Sequence, residues 1–100
     1  MQKKRMVSFG NIEINLNKHL IIKNNEEFKI NSTEKTILEV MINSPGKTFS
    51  REEIGNIIKL DKERSIDVVI TRLRKKIEVD PKNPKYLQTL RGEGYVLWIE

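Results

Sequence analysis

Residues 63–78, ERSIDVVITRLRKKIE, read as a helix, and the rest of the chain is organised around them. Ile66, Ile70, Leu73 and Ile77 recur at i, i+4, i+7 and i+11, which places them on one apolar stripe. At about 100° per residue, Val68, Thr71, Arg72 and Lys75 gather on the opposite side, with Arg74 and Lys76 on the flanks. A solvated helix face normally mixes acids with bases. This one is basic, and it adds a short hydroxyl and a pair of valine methyls. Such an inventory suits a surface that meets phosphates and base edges in a major groove, where Arg reads guanine and small apolar groups meet the thymine methyl. An ordinary amphipathic helix with a Lys/Arg-rich outer face fits these residues alone equally well. The surrounding chain has to decide.

Its 100 residues are expected to form a single domain with one modest core, and 37% hydrophobic content argues against intrinsic disorder. No apolar run reaches the length of a membrane span, and the N-terminus (MQKKRMVSFG) has bases but no apolar h-region. A soluble, cytoplasmic protein without membrane association is expected. The absence of Cys removes disulfides, thiolate zinc sites and Cys nucleophiles together. Net charge is +5, and residues 59–91 hold ten of the 19 bases against five of the 14 acids, leaving nine of each elsewhere. The whole excess surrounds the helix, the footprint of a polyanion binder.

Upstream, Val7 and Phe9 alternate, as do Ile12, Ile14 and Leu16, with the parity shifted at Gly10-Asn11, where a turn or bulge resets the pleat. Asn17-Lys18 reverses the chain into Leu20-Ile22, and Asn24-Asn25 reverses it again before a short strand around Phe28 and Ile30. Residues 5–31 are thus an antiparallel meander. His19 belongs in or beside a turn, and with no Cys and no second His no metal site is expected. Residues 32–79 supply three helices. Asn31-Ser-Thr-Glu34 and Ser50-Arg-Glu-Glu53 are capping boxes that start the first two. Ile37, Leu38, Val40 and Met41 should face inward from the first, which ends at Ser44-Pro45-Gly46; Ile54, Ile57 and Ile58 should do so from the second. Thr48-Phe49 reads as an extended connector, and residues 59–64 (KLDKER) as a charged loop.

Asp80-Pro81 and Asn83-Pro84 end the third helix. Tyr86–Leu90 and Gly94–Ile99 flank Arg91-Gly92-Glu93, so residues 85–99 form a hairpin whose Gly92 and Gly94 supply positive φ. Tyr95 and Trp98 are expected in the core rather than stacked on bases. Gly-x-Gly here opens a strand and no helix, which excludes a nucleotide-binding loop. The carboxylate pairs Glu26-Glu27 and Glu52-Glu53 fall on a turn and a helix start. No nucleophile–base pair or cofactor motif accompanies them, so no enzyme and no catalytic residue is expected. No heptad seam or spare apolar helix is visible to hold a dimer.

Strands, three helices and a basic-tipped hairpin, in that order, make an α+β fold: a winged helix-turn-helix behind an N-terminal antiparallel sheet. The motifs ERSIDVxIxRLRKKI and DPKNPKYLQTLRGEGYV closely resemble the DNA-binding effector domains of OmpR/PhoB-type two-component response regulators, standing nearest the OmpR branch. PGKTFSREEI resembles the family's join between its first two helices, and the resemblance spans roughly residues 6–99. It implies that Arg64 contacts phosphate, that Val68, Thr71, Arg72 and Lys75 face the groove, and that Thr89 and Arg91 act from the wing. Arg91 would reach backbone or minor groove. The resemblance further implies tandem half-sites on double-stranded DNA and a transcriptional role. It also implies an RNA polymerase contact by the loop that carries Lys59, Asp61, Lys62 and Glu63. Asp67, an acid amid bases in the family too, is expected to orient a neighbouring Arg. Thr71 stands where relatives often carry Arg, and Val69 where they often carry a polar residue or His, so no relative's base preference transfers. A receiver domain is missing from the 100 residues, and the chain is expected to be part of a longer regulator. The competing class is a winged-helix module that binds protein and never touches DNA; it should lack a basic recognition face.

Overall fold

In a computed structural model, which describes residues 5–58 and 66–99, the N-terminal alternation becomes four strands. They are β1 (Met6–Phe9), β2 (Ile12–Asn15), β3 (Leu20–Lys23) and β4 (Glu26–Lys29), antiparallel in that order. The parity shift at Gly10-Asn11 is a true turn: Phe9 pairs with Ile12, and Gly10 has φ +55°. A Cβ there would lie 2.1 Å from the Tyr86 hydroxyl, so the close approach of that ring favours glycine beyond what the positive φ does. Asn24 and Asn25, at φ 52° and 69°, make the two-residue turn between β3 and β4. Phe9, Ile12, Ile14, Leu16 and Ile21 present the buried face of this sheet.

Helix α1 (Ser32–Ile42) starts at the expected capping box: Asn31 Oδ1 accepts from Glu34 N at 2.8 Å and Glu34 Oε1 from Asn31 N at 2.9 Å. Its buried stripe is Ile37, Leu38, Met41 and Ile42. Val40 is only partly buried, because at 100° per residue it lies about 130° from the stripe's centre. Residues Thr48–Phe49 are more than a connector. They form β5, pairing with β7 (Gly94–Leu97), which in turn pairs with β6 (Leu87–Leu90), giving a second sheet of order β5-β7-β6. Ser50 and Glu53 cap α2 (Arg51–Ile58) reciprocally, at 3.0 and 2.9 Å. Ile54 of that helix is buried, while Ile57 and Ile58 pack partly buried against the core.

Helix α3 (Ile66–Ile77) buries Ile70, Leu73 and Ile77 as expected, adds Val69, and leaves Ile66 half-buried. The expected start of this helix at Glu63 and the loop 59–64 lie outside the described residues. After α3, buried Glu78 accepts from Lys85 N, Tyr86 N and Leu87 N at 2.8, 2.9 and 2.7 Å, which fixes the return into β6. Both hairpin strands are shorter than their apolar runs. Tyr86 donates its amide to Glu78, and β7 ends at Leu97, with one further bond from the Trp98 amide to the Tyr86 carbonyl at 2.8 Å. Tyr95, Val96 and Leu97 are all buried, because β7 is the central strand. The expectation of Trp98 in the core was wrong. It is 45% exposed, donates its amide to the Tyr86 carbonyl at 2.8 Å at the end of the sheet, lies over Gly46, and donates its indole N–H to Gln88 Oε1 at 3.0 Å.

Candidate nucleic-acid interface

The apolar stripe of α3 is clamped into the core, and the clamp decides which cations reach solvent. Val68 is 43% exposed, and Thr71, Arg72 and Lys75 are exposed beside it. Arg74 and Lys76, on the flanks of the stripe, are half-buried. Lys76 Nζ lies 2.8 Å from Oε1 of Glu34, whose residue is 1% exposed. Arg74 donates from Nε to the Leu87 carbonyl at 2.8 Å, and from its guanidinium to the Thr89 hydroxyl. Among the described residues, Arg72 and Lys75 make no ion pair. The helix therefore presents a valine, a threonine, an arginine and a lysine on one outward face, over a length of about 10 Å at 1.5 Å per residue.

Both ends of the helix are anchored. At the N-terminal end Asp67 pairs with Arg51 of α2 at 3.3 Å and accepts a hydrogen bond from the Tyr95 hydroxyl. An acid in the first turn also suits the helix dipole. Burial, then the hydrogen bond to Asp67 and its negative charge, push the Tyr95 phenol up to about 12, against a smaller opposing pull from Arg51 and Arg74. Tyr95 is thus neutral at any physiological pH and donates to the carboxylate. At the C-terminal end Lys23, from β3, donates to the carbonyls of Lys75 and Glu78 at 2.9 and 2.8 Å, closing carbonyls the helix cannot satisfy itself.

The hairpin tip, Arg91-Gly92-Glu93, is exposed, with Gly92 at φ 79° and Gly94 at φ 139°. A Cβ on Gly94 would lie 2.0 Å from the Phe49 carbonyl oxygen, so the wing can leave β5 this closely only with glycine there. An open groove of about 580 Å³ separates the tip from the starts of α2 and α3, lined by Ser50, Arg51, Asp67 and residues 89–95.

Of the residues singled out from sequence, Val68, Thr71, Arg72 and Lys75 are brought together on α3, and Arg91 stands apart on the hairpin tip. Thr89 is exposed, with its hydroxyl held by Arg74. Asp67 holds an arginine, as expected, and that arginine is Arg51 of α2. Arg64, Lys59, Asp61, Lys62 and Glu63 lie outside the described residues. Sequence reasoning missed Lys23, Glu34 and Glu78 as supports of the helix. No helix among the described residues is long and apolar enough to cross a membrane.

A helix carried on the end of a helix pair, with a β-hairpin beside its exposed face, defines a winged helix-turn-helix. The model of one family, described as transcriptional regulatory protein, C terminal, matches residues 25–97, and the chain belongs to that family. It is 38% identical over 98 residues to a probable transcriptional regulator, ycf27, of Porphyridium aerugineum, covering 91% of this chain and 40% of that one. The response regulator DrrB of Thermotoga maritima, an OmpR/PhoB homologue, superposes with a TM-score of 0.83 at 30% identity, over 95% of this chain and 45% of DrrB. The DNA-binding domain of response regulator AdeR, solved in complex with an intercistronic region, gives a TM-score of 0.71 at 31% identity, over 94% of this chain and all of that one. The fold is that of OmpR/PhoB effector domains, and the chain spans about 40% of the length of the curated relatives it matches.

Proposed function

We propose that this chain is the sequence-specific, double-stranded-DNA-binding effector domain of a two-component response regulator that controls transcription. The observation that carries the reading is the sorting of cations on α3. Lys76 and Arg74 are spent inside the protein, whereas Arg72 and Lys75 face outward with Val68 and Thr71. In this reading α3 lies in the major groove. Arg72 reads a base edge, Val68 and Thr71 meet apolar or hydroxyl-compatible edges, and Lys75 neutralises phosphate. Arg91 reaches backbone or minor groove from the wing, and Arg64 and Thr89 add contacts to the backbone. The charged loop, through Lys59, Asp61, Lys62 and Glu63, is proposed to face RNA polymerase. The greater length of the relatives supports a receiver domain in the full-length regulator, acting in the cytoplasm. Monomers are proposed to occupy tandem half-sites.

The test is selection of bound duplexes from a random-sequence pool. Enrichment of a motif repeated at roughly 10–11 base pairs, one helical turn, is the expected result. Retention without enrichment of any motif would make the domain a non-specific binder, and no retention of duplex at all would instead favour a protein-interaction module.

A further inference from the structure

Arg74 sits on the recognition helix among its cations, yet its guanidinium is directed at the hairpin. Nε donates to the Leu87 carbonyl at 2.8 Å, a second nitrogen donates to the Thr89 hydroxyl, and the guanidinium carbon lies 6.0 Å from the centroid of the Tyr95 ring. Leu87 and Thr89 belong to β6 and Tyr95 to β7, so one side chain grips both strands of the wing. About two turns away along α3, Asp67 takes the Tyr95 hydroxyl from the other side. Helix and hairpin are thereby pinned at two points, and the wing tip beyond Thr89 is held only by what fixes these strands.

We infer that Arg74 is a positioning residue: it sets the angle between recognition helix and wing, so that the Arg91 contact with DNA exists only while Arg74 holds Thr89. Thr89 then acts as the acceptor of this brace, beside the backbone contact proposed for it. The planar fork is what the site needs. A lysine keeps the charge but cannot bridge a backbone carbonyl and a hydroxyl while stacking on a ring. The inference rests on the proposed DNA-binding reading for its consequence, though the brace itself is a property of the free protein.

The experiment combines Arg74→Lys, Arg74→Met, Arg91→Ala and the doubles, each titrated with a selected duplex at several salt concentrations, with amide hydrogen exchange on the free proteins. Arg74→Lys and Arg74→Met should speed exchange at Gln88 and Val96, which face each other across β6 and β7, by about tenfold or more while amides of α1 stay unchanged. In the wild-type background Arg91→Ala should lower the salt slope by about one unit, and in either Arg74 background by nearly nothing. Unchanged exchange at Gln88 and Val96, or wild-type behaviour of Arg74→Lys, overturns the brace. Additive slopes, about two units lower in the Arg74→Met/Arg91→Ala double, would make Arg74 a phosphate contact and overturn the inference too. If Arg91→Ala leaves the wild-type slope intact, the wing reading fails separately. The inferred control over Arg91 falls with it, and the exchange data then judge the brace alone.

Discussion

Replacing Lys76 by Met removes the ammonium that sits 2.8 Å from Glu34 Oε1 but keeps an aliphatic stem of similar length. What is left behind sets the cost. Glu34 is 1% exposed; its Oε1 would retain the Asn31 amide at 2.9 Å, and its Oε2 has no hydrogen-bond partner among the described residues. Stranding one member of a fully buried pair costs about 3–5 kcal/mol. The Lys76 side chain is 25% exposed, so water reaches part of the vacated position, and about 2–3 kcal/mol is the expected loss. For a domain of this size that is a fall in Tm of roughly 10–20 °C. Glu34→Gln should cost only about 1 kcal/mol, since the amide oxygen can still accept from Asn31 and the freed ammonium can turn to water. The double Lys76→Met/Glu34→Gln should then be more stable than Lys76→Met alone, because no carboxylate remains buried without its cation. Urea unfolding of the four proteins at neutral pH measures this. A Lys76→Met loss under about 0.5 kcal/mol, or a double weaker than the single, would refute the reasoning. Because the charge is spent internally, Lys76→Met should also leave the salt slope of DNA binding unaltered. A drop of about one unit would move Lys76 onto a phosphate.

Arg91→Ala should weaken binding to all sequences by a similar factor, and Glu93→Lys should strengthen non-specific binding most at low salt, both read from titrations across ionic strength. Tyr95 gives a pH test. Its folded pKa, about 12, is raised above the unfolded value of 10.0, so its contribution to stability is intact below pH 10 and is lost as pH rises towards 12. The stability difference between wild type and Tyr95→Phe should therefore shrink across that window in urea unfolding, and a constant difference would contradict the Asp67 contact. On DNA, inserting about five base pairs between half-sites should abolish any cooperativity, and sedimentation of the isolated chain should give a monomer; a tight dimer without DNA would be inconsistent with this arrangement.

What could be read from the residues alone was whatever is local. Both capping boxes are contacts between residues three apart, and the Asn24-Asn25 turn needs only two neighbours, so each is written where it acts. The α3 stripe is periodic and legible for the same reason. The supports of α3 are different in kind: Lys76 to Glu34 spans 42 positions, and Lys23 to Lys75 and Glu78 spans 52 and 55. No periodicity encodes such pairs, since they exist only once the sheet and helices have packed. Arg72 and Arg74 illustrate the limit. Periodicity puts Arg72 opposite the apolar stripe and Arg74 on its flank, but only the position of the hairpin makes the flanking cation a brace. Trp98 was misjudged because its strand was assumed to carry it into the core; its amide still donates to the Tyr86 carbonyl at 2.8 Å, but its ring lies at the end of the sheet over Gly46 and meets solvent.

The central claim is that the outward face of α3 reads sequence, and Arg72 tests it most directly. Wild type and Arg72→Ala are titrated with a selected duplex and with a scrambled duplex of equal length, at one salt concentration. The account predicts a loss of about 1–3 kcal/mol on the selected duplex and nearly none on the scrambled one. Equal losses on both would mean that Arg72 touches only phosphate and that this face does not read bases.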